Sequence, residues 1–184
     1  NGYYEFTGLL PGAYSVTESS LNGWTQVYNP LSPINLLAGQ EAENNNFGNF
    51  KNGSISGYKF NDLNGQGGRD VGEPGISGLG VTMTGTTKAV NGQPSVAVGP
   101  VVKTTNTTGY YEFTNLAPGT YTVCEEQRVN WVQTYPGLNV CQTIVIDISG
   151  ESNANSNFGN RAQGTIEVKK VLSPATDPGK FNLA

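Results

Sequence analysis

The residues best suited to chemistry lie in one acidic, glycine-rich run from Asp62 to Glu73, DLNGQGGRDVGE. Asp62, Asn64, Gln66, Gly67, Asp70 and Glu73 fall at positions 1, 3, 5, 6, 9 and 12 of an EF-hand calcium loop. A hard cation takes about six to eight oxygen ligands, and side chains at alternate positions of a curled backbone supply them. Gly67 allows the sharp turn, the carbonyl of Gly68 offers the position-7 ligand, and Glu73 closes the shell with both oxygens. Two residues depart from the pattern. Gln66 is longer than the Asp or Asn expected there, and Arg69 stands where an apolar residue is usual. The flanks read as strands, so the chemistry is that of a structural Ca2+ site without the helix pair of a sensor. The plain alternative is a polar turn that binds nothing.

Other reactive groups are few. Histidine is absent, which removes the commonest general base and metal-binding nitrogen. No G-x-S-x-G elbow, phosphate loop or zinc-ligand cluster occurs. The two cysteines are Cys124 and Cys141. With Tyr121, Val123 and Glu125 on one face of a strand and Ile144, Ile146 and Ile148 on one face of the next, both cysteines fall on the opposite faces, where a bridge is sterically allowed. A disulfide closing a loop of this length contributes roughly 3 kcal/mol and implies an oxidising, extracytoplasmic setting. Two free thiols in a reducing compartment are the other reading.

The elements that position these groups are strands. Of 184 residues only 13% are charged, while 25 are glycine, and Thr, Asn, Val and Tyr are abundant. Net charge is −4 with a pI near 4.8, so nucleic acid is a poor candidate partner. Apolar runs are strand-sized and none spans a membrane. The chain opens on Asn1 without an initiator Met or signal peptide, as a segment cut from something longer would.

Internal repetition sets the layout. GYYEFTGLLPGAYSVTE at 2–18 recurs as GYYEFTNLAPGTYTVCE at 109–125. Trp24 and Gln26 recur as Trp131 and Gln133, and NFGN at 46–49 recurs at 157–160. Residues 1–50 therefore read as the C-terminal half of a module, 51–161 as a complete module, and 162–184 as the opening strand of a following one. Alternating runs such as VTMT and TYTVCE, with turn signals at LAPG, predict an antiparallel two-sheet β-sandwich of about seven strands and no amphipathic helix. Residues 86–100 read as a long hairpin or loop.

KFNDLNGQGGRDVGEPGISG, followed by GYYEFTNLAPGTYTVCE and a closing NFGN, resembles the B-type modules of bacterial surface adhesins, in particular the calcium-binding B repeats of serine-aspartate-repeat proteins. The likeness covers 51–161, with 1–50 as a half copy. It implies a prealbumin-like or Ig-like, Greek-key sandwich in tandem, a Ca2+ cofactor, and a non-catalytic stalk or filament repeat at the cell surface or secreted. Its partners would be neighbouring modules, other copies joined head to tail, and a host or matrix ligand.

Some modules of this superfamily close an internal Lys–Asn amide beside a buried acid. On that likeness Lys59 shares a face with Ile55 and Gly57, Glu125 lies inward with Val123, and Asn160, rather than Asn157, shares the inward face with Phe158. An ordinary Lys59–Glu125 salt bridge, a snorkelling lysine and a solvated one compete with it. In the half copy Glu18 and Asn49 would need a lysine that lies before residue 1, and Lys170 would begin the same arrangement in the next module. Trp24 and Trp131 suit packing better than sugar stacking. Asn52 and Asn106 match a glycosylation pattern that is frequent by chance. The rival functions are a carbohydrate- or protein-binding module and an accessory domain of a larger extracellular enzyme.

Overall fold

A computed structural model describes residues 2–90 and 93–169 of the chain. Thirteen strands occur among them: β1 (Gly12–Tyr14), β2 (Trp24–Tyr28), β3 (Ile34–Leu36), β4 (Gly48–Lys51), β5 (Gly53–Asn61), β6 (Gly80–Thr87), β7 (Ala97–Thr104), β8 (Tyr110–Leu116), β9 (Gly119–Glu125), β10 (Trp131–Tyr135), β11 (Gln142–Ile146), β12 (Ser152–Asn153) and β13 (Phe158–Ala162). No helix is present among the described residues. The all-β expectation holds, and among the described residues no helix is long and apolar enough to cross a membrane.

Strands β5–β13 form two sheets. One runs β11-β9-β6-β7, all antiparallel; the other runs β10-β13-β5, with β8 antiparallel to β5 and β12 parallel to it. The first and last long strands, β5 and β13, lie side by side in parallel, with Lys59 opposite Phe158 and Asn61 opposite Asn160. Parallel neighbours need a crossover, and here the whole of β6–β12 provides it.

Alternation explains the core. Tyr121 and Val123 of β9, Val81 and Met83 of β6, and Ile144 and Ile146 of β11 point inward from one sheet. Ile55, Tyr111, Phe113 and Phe158 meet them from the other. Each such side chain contributes about 1.5–3 kcal/mol by leaving water. Ile148, expected to share the face of Ile144, lies beyond the end of β11 and is exposed. Gly57 is required by close approach: a Cβ there would collide with the Ser156 carbonyl oxygen. The long hairpin expected at 86–100 is narrower, because β6 runs to Thr87 and β7 begins at Ala97.

Residues 2–51 form two short ribbons that copy part of this plan. Gly12 and Tyr14 of β1 face Leu36 and Ile34 of β3, as Gly119 and Tyr121 of β9 face Ile146 and Ile144 of β11. Trp24 and Gln26 of β2 face Lys51 and Asn49 of β4, as Trp131 and Gln133 face Ala162 and Asn160, and both pairs shift register before a tyrosine. The junction at Gly48–Gly53 is almost wholly strand, since β4 and β5 are separated by Asn52 alone. Phe50 of β4 is buried in the larger core, and Val27 packs on it.

Candidate functional site

Three residues from three strands meet inside the sandwich. The Lys59 ammonium donates to Glu125 Oε2 at 2.6 Å, and Asn160 Nδ2 donates to Glu125 Oε1 at 2.6 Å. Strand phase puts them there. Lys59 is two residues on from Gly57 and four from Ile55 on one face of β5; Glu125 follows Tyr121 and Val123; Asn160 follows Phe158. All three are buried, at 1%, 9% and 4% exposure. The lysine also donates to the Glu126 carbonyl at 3.2 Å. Burial lowers the Lys59 amine from the ordinary lysine value, against the opposing hydrogen bond and charge of Glu125. Asn160 Oδ1 is buried without a hydrogen-bond partner.

Chemically, this is an amine beside an acid beside an amide. With its proton passed to Glu125, the Lys59 nitrogen would have a free lone pair for the Asn160 amide carbon. Closure would form the Nζ–Cγ bond and break Cγ–Nδ2, and Nδ2 would leave as ammonia with the proton the lysine gives up. Asn157 does something else: its Oδ1 accepts from the Tyr58 amide at 2.9 Å.

Neighbouring polar groups that sequence reading passed over close the site. Tyr111 donates its hydroxyl to the Ser156 carbonyl, and burial, with the Glu125 charge adding, pushes its phenol up. Gln133 is buried opposite Asn160, donating to the Val140 carbonyl at 2.8 Å and facing Gln127 at 3.3 Å. The recurrence of Gln26 as Gln133 was the available signal.

The acidic loop closes on itself. Asp62, fully buried, accepts from the amides of Gly65 at 2.6 Å and Gly67 at 2.8 Å, and Gly67 takes φ +90°. Burial pushes the Asp62 carboxyl up, but the nearby Thr134 hydroxyl and the amides of Gly67, Gly65 and Gln66 outweigh it, so the net shift is downward. Glu73 accepts from Leu63 and Asp70 amides, both at 2.9 Å. Asn64 and Gln66 converge on Asp70 Oδ2 at 2.8 and 2.5 Å. Gly68 has open space around its α-carbon.

Among the described residues no three acidic or cysteine side chains gather into a ready metal cage. The donor set is nonetheless all oxygen. Turning the amides of Asn64 and Gln66 over would aim their oxygens at the place where Asp70 already gathers them. The residues fit a hard cation in kind.

The loop follows nine-residue β5, which sets it about 30 Å from the Gly48–Gly53 junction at 3.3 Å per residue. There the Asp62 amide donates to the Asn160 carbonyl at 2.8 Å, and Gly65 lies against Arg161. The odd Arg69 stacks on the Tyr58 ring at 4.0 Å.

Cys124 and Cys141 are bridged, with Cα atoms 4.5 Å apart, on the outward side of β9 just before β11. Trp131 is half-buried beneath Arg128 and Trp24 is 39% exposed, so both sit at the rim. Asn52 and Asn106 use their side chains internally, Asn52 with Thr25 and Asn115, Asn106 with the turn at Thr108 and Tyr110. Glu18 accepts from Asn49 at 2.9 Å, and Lys170 lies outside the described residues.

Known proteins are similar to this chain in sequence. Serine-aspartate repeat-containing protein F of Staphylococcus epidermidis is 31% identical over 162 residues, covering 82% of this chain and 9% of that protein. Serine-aspartate repeat-containing protein C of Staphylococcus aureus is 31% identical over 149 residues, covering 73% and 15%. The chain thus spans a small fraction of the length of either relative. A distant likeness to the minor pilin of Streptococcus agalactiae covers 90% of this chain and 66% of that one, at 14% identity and a TM-score of 0.41. Residues 53–170 match the SdrD B-like domain, and the chain belongs to that family.

Proposed function

We propose that this chain is a non-catalytic structural repeat of a secreted or cell-surface protein, built to carry tension along a stalk or filament. The observation that supports this most strongly is the parallel pairing of β5 with β13. Chain enters the module at the start of β5 and leaves at the end of β13. Pulling on both therefore loads the two strands in shear. Lys59 and Asn160 lie on these same two strands, joined through Glu125. An amide between them would route the force through covalent bonds and past the sheet.

The two ends of the module suit the same role. At its entry, Phe50 is buried, Asn52 bonds Thr25 and Asn115, and Lys51 exchanges hydrogen bonds with Ser149 and Gly150. At its exit lies the acidic loop, where Asp62, Asn64, Gln66, the Gly68 carbonyl, Asp70 and Glu73 would hold Ca2+. Bound there, the ion would offset two of the three carboxylate charges and pin the loop beside the departing strand. The exposed-side Cys124–Cys141 bridge fits an oxidising location outside the cytoplasm.

Intact mass of the reduced, denatured chain tests the central element. The expected value falls short of the sequence mass by one ammonia, and Asn160→Ala and Lys59→Met both abolish the deficit. A full sequence mass in the parent chain removes the covalent tie and leaves an ordinary sandwich.

A further inference from the structure

The hydrogen bonds of the buried triad continue beyond Glu125. Its Oε1 accepts from Asn160 and also from Gln127 Nε2 at 3.3 Å, and the same Gln127 amide donates to Gln133 Oε1 at 3.3 Å. Gln133, 2% exposed, stands opposite Asn160 in the β10–β13 pair and donates to the Val140 carbonyl at 2.8 Å. Val140 precedes Cys141, Cys141 is bonded to Cys124, and Cys124 precedes Glu125. These links form a closed ring, from the disulfide through two glutamines to the acid and back along the main chain.

The ring does two things that the triad cannot do by itself. A carboxylate has two oxygens, and only Oε2 of Glu125 faces the Lys59 ammonium. Asn160 and Gln127 both donate to Oε1, which leaves Oε2 as the oxygen that takes the lysine proton. Glu125 is also the last residue of β9, and the connection after it, residues 126–130, is exposed. Such a connection opens easily unless its far end is held. The disulfide holds it, by fixing Cys141 beside the strand that carries Glu125 and so presenting the Val140 carbonyl to Gln133.

The repeat supplies a contrast. Glu18 and Gln26 correspond to Glu125 and Gln133, but Thr17, Ser20 and Leu31 stand at the places of Cys124, Gln127 and Cys141. The disulfide and Gln127 occur together in one copy and are replaced together in the other, as parts of one device would be.

We infer that Gln127 and Gln133 are positioning residues for closure of the Lys59–Asn160 amide, and that the Cys124–Cys141 bridge forms first and holds them in place. The inference rests on the reading of that amide under the proposed function. Two covalent steps then run in order. The two thiols pass two electrons and two protons to an external disulfide and become the bridge. Lys59 Nζ then bonds Asn160 Cγ, the Cγ–Nδ2 bond breaks, and Nδ2 leaves as ammonia with the lysine proton carried across by Glu125. The tie between β5 and β13 is thereby completed in an oxidising setting, where the bridge can form.

The test makes the full chain by cell-free synthesis, either with excess thiol reductant or in a buffer of oxidised glutathione. Loss of ammonia is followed in time by intact mass after denaturation and reduction. Closure is expected to run about tenfold slower in the reduced chain, equivalent to about 1.4 kcal/mol in the barrier. Gln127→Leu alters an exposed side chain and leaves the bridge intact, so it covers the case in which the reduced chain fails to fold. It should slow the oxidised chain by a similar factor, with amide exchange at Val81 and Val123 still protected. Positioning is separated from stability in Asn160→Ala, where no amide can form. There the Lys59 ammonium resonance, at mildly acidic pH, should be sharp in the oxidised chain and broaden when Gln127→Leu is added, at an unchanged melting temperature. Equal closure rates with and without the bridge keep the amide and overturn the inference alone. Slowing by reduction but not by Gln127→Leu overturns the glutamine link, as does a resonance that stays sharp. A full sequence mass in the oxidised parent at all times removes the amide and the inference together.

Discussion

Lys59 and Glu125 are 66 residues apart in the chain and 2.6 Å apart in the interior. Water is excluded from both, so neither side chain is tolerable there without the other. The pair gains its place from position rather than from stability, since two well-packed apolar residues would hold the sandwich at least as well.

Breaking one side of the pair therefore has a large effect and replacing both a small one. Glu125→Ala should restore the full sequence mass and cost about 3–5 kcal/mol in urea unfolding, because the lysine is left buried and unpaired. Lys59→Met with Glu125→Leu should recover most of that loss. A single variant as stable as the parent would show that the interior is wetter than its burial implies.

A free Lys59 amine should also leave a signature in pH. Its folded pKa is lowered by burial, below the ordinary lysine value of about 10.4. Between the lowered value and the ordinary one, the unfolded chain binds more protons, so stability should rise with pH through that window and level off below it. Asn160→Ala, which cannot close the amide, is the background in which to measure it. Adding Lys59→Met should flatten the slope; a slope that persists belongs to another group.

Calcium should act on the exit loop. Chelation is expected to lower the melting temperature and expose residues 62–73 to protease, with ion at a hundred times its Kd worth about 2.7 kcal/mol. Asp70→Asn and Glu73→Gln should each blunt the response, because each removes one charge from the donor set. Equal melting curves with chelator and with calcium would count against a bound ion.

Reducing the Cys124–Cys141 bridge should cost roughly 3 kcal/mol in the chain-entropy picture. Exchange should rise chiefly between 126 and 141, the loop that the bridge closes, while Val81 and Val123 stay protected. Cys141→Ser should match the reduced parent. Loss of the whole fold on reduction would mean that the core is weaker than its packing indicates.

Sequence alone determined whatever is local or repeated. Period-two alternation in GVTMTG and GTYTVCE settled strand type and inward faces, and with them the side on which Cys124 lies. The duplicated GYYEFT and NFGN segments laid out the repeat, and they pointed to Glu18 and Asn49 as counterparts of Glu125 and Asn160. Strand phase with Phe158 already favoured Asn160 over Asn157, and Asn160 reaches Glu125 while Asn157 caps the backbone of β5. Tertiary structure alone decided the rest. The acidic loop turned out to sit at the exit of the module, and β5 and β13 turned out to run parallel. Periodicity reports which way a side chain faces, not which distant strand it will face. That partner is chosen by closure of the two sheets around one core, a relation between residues 35 to 99 positions apart that no local pattern carries.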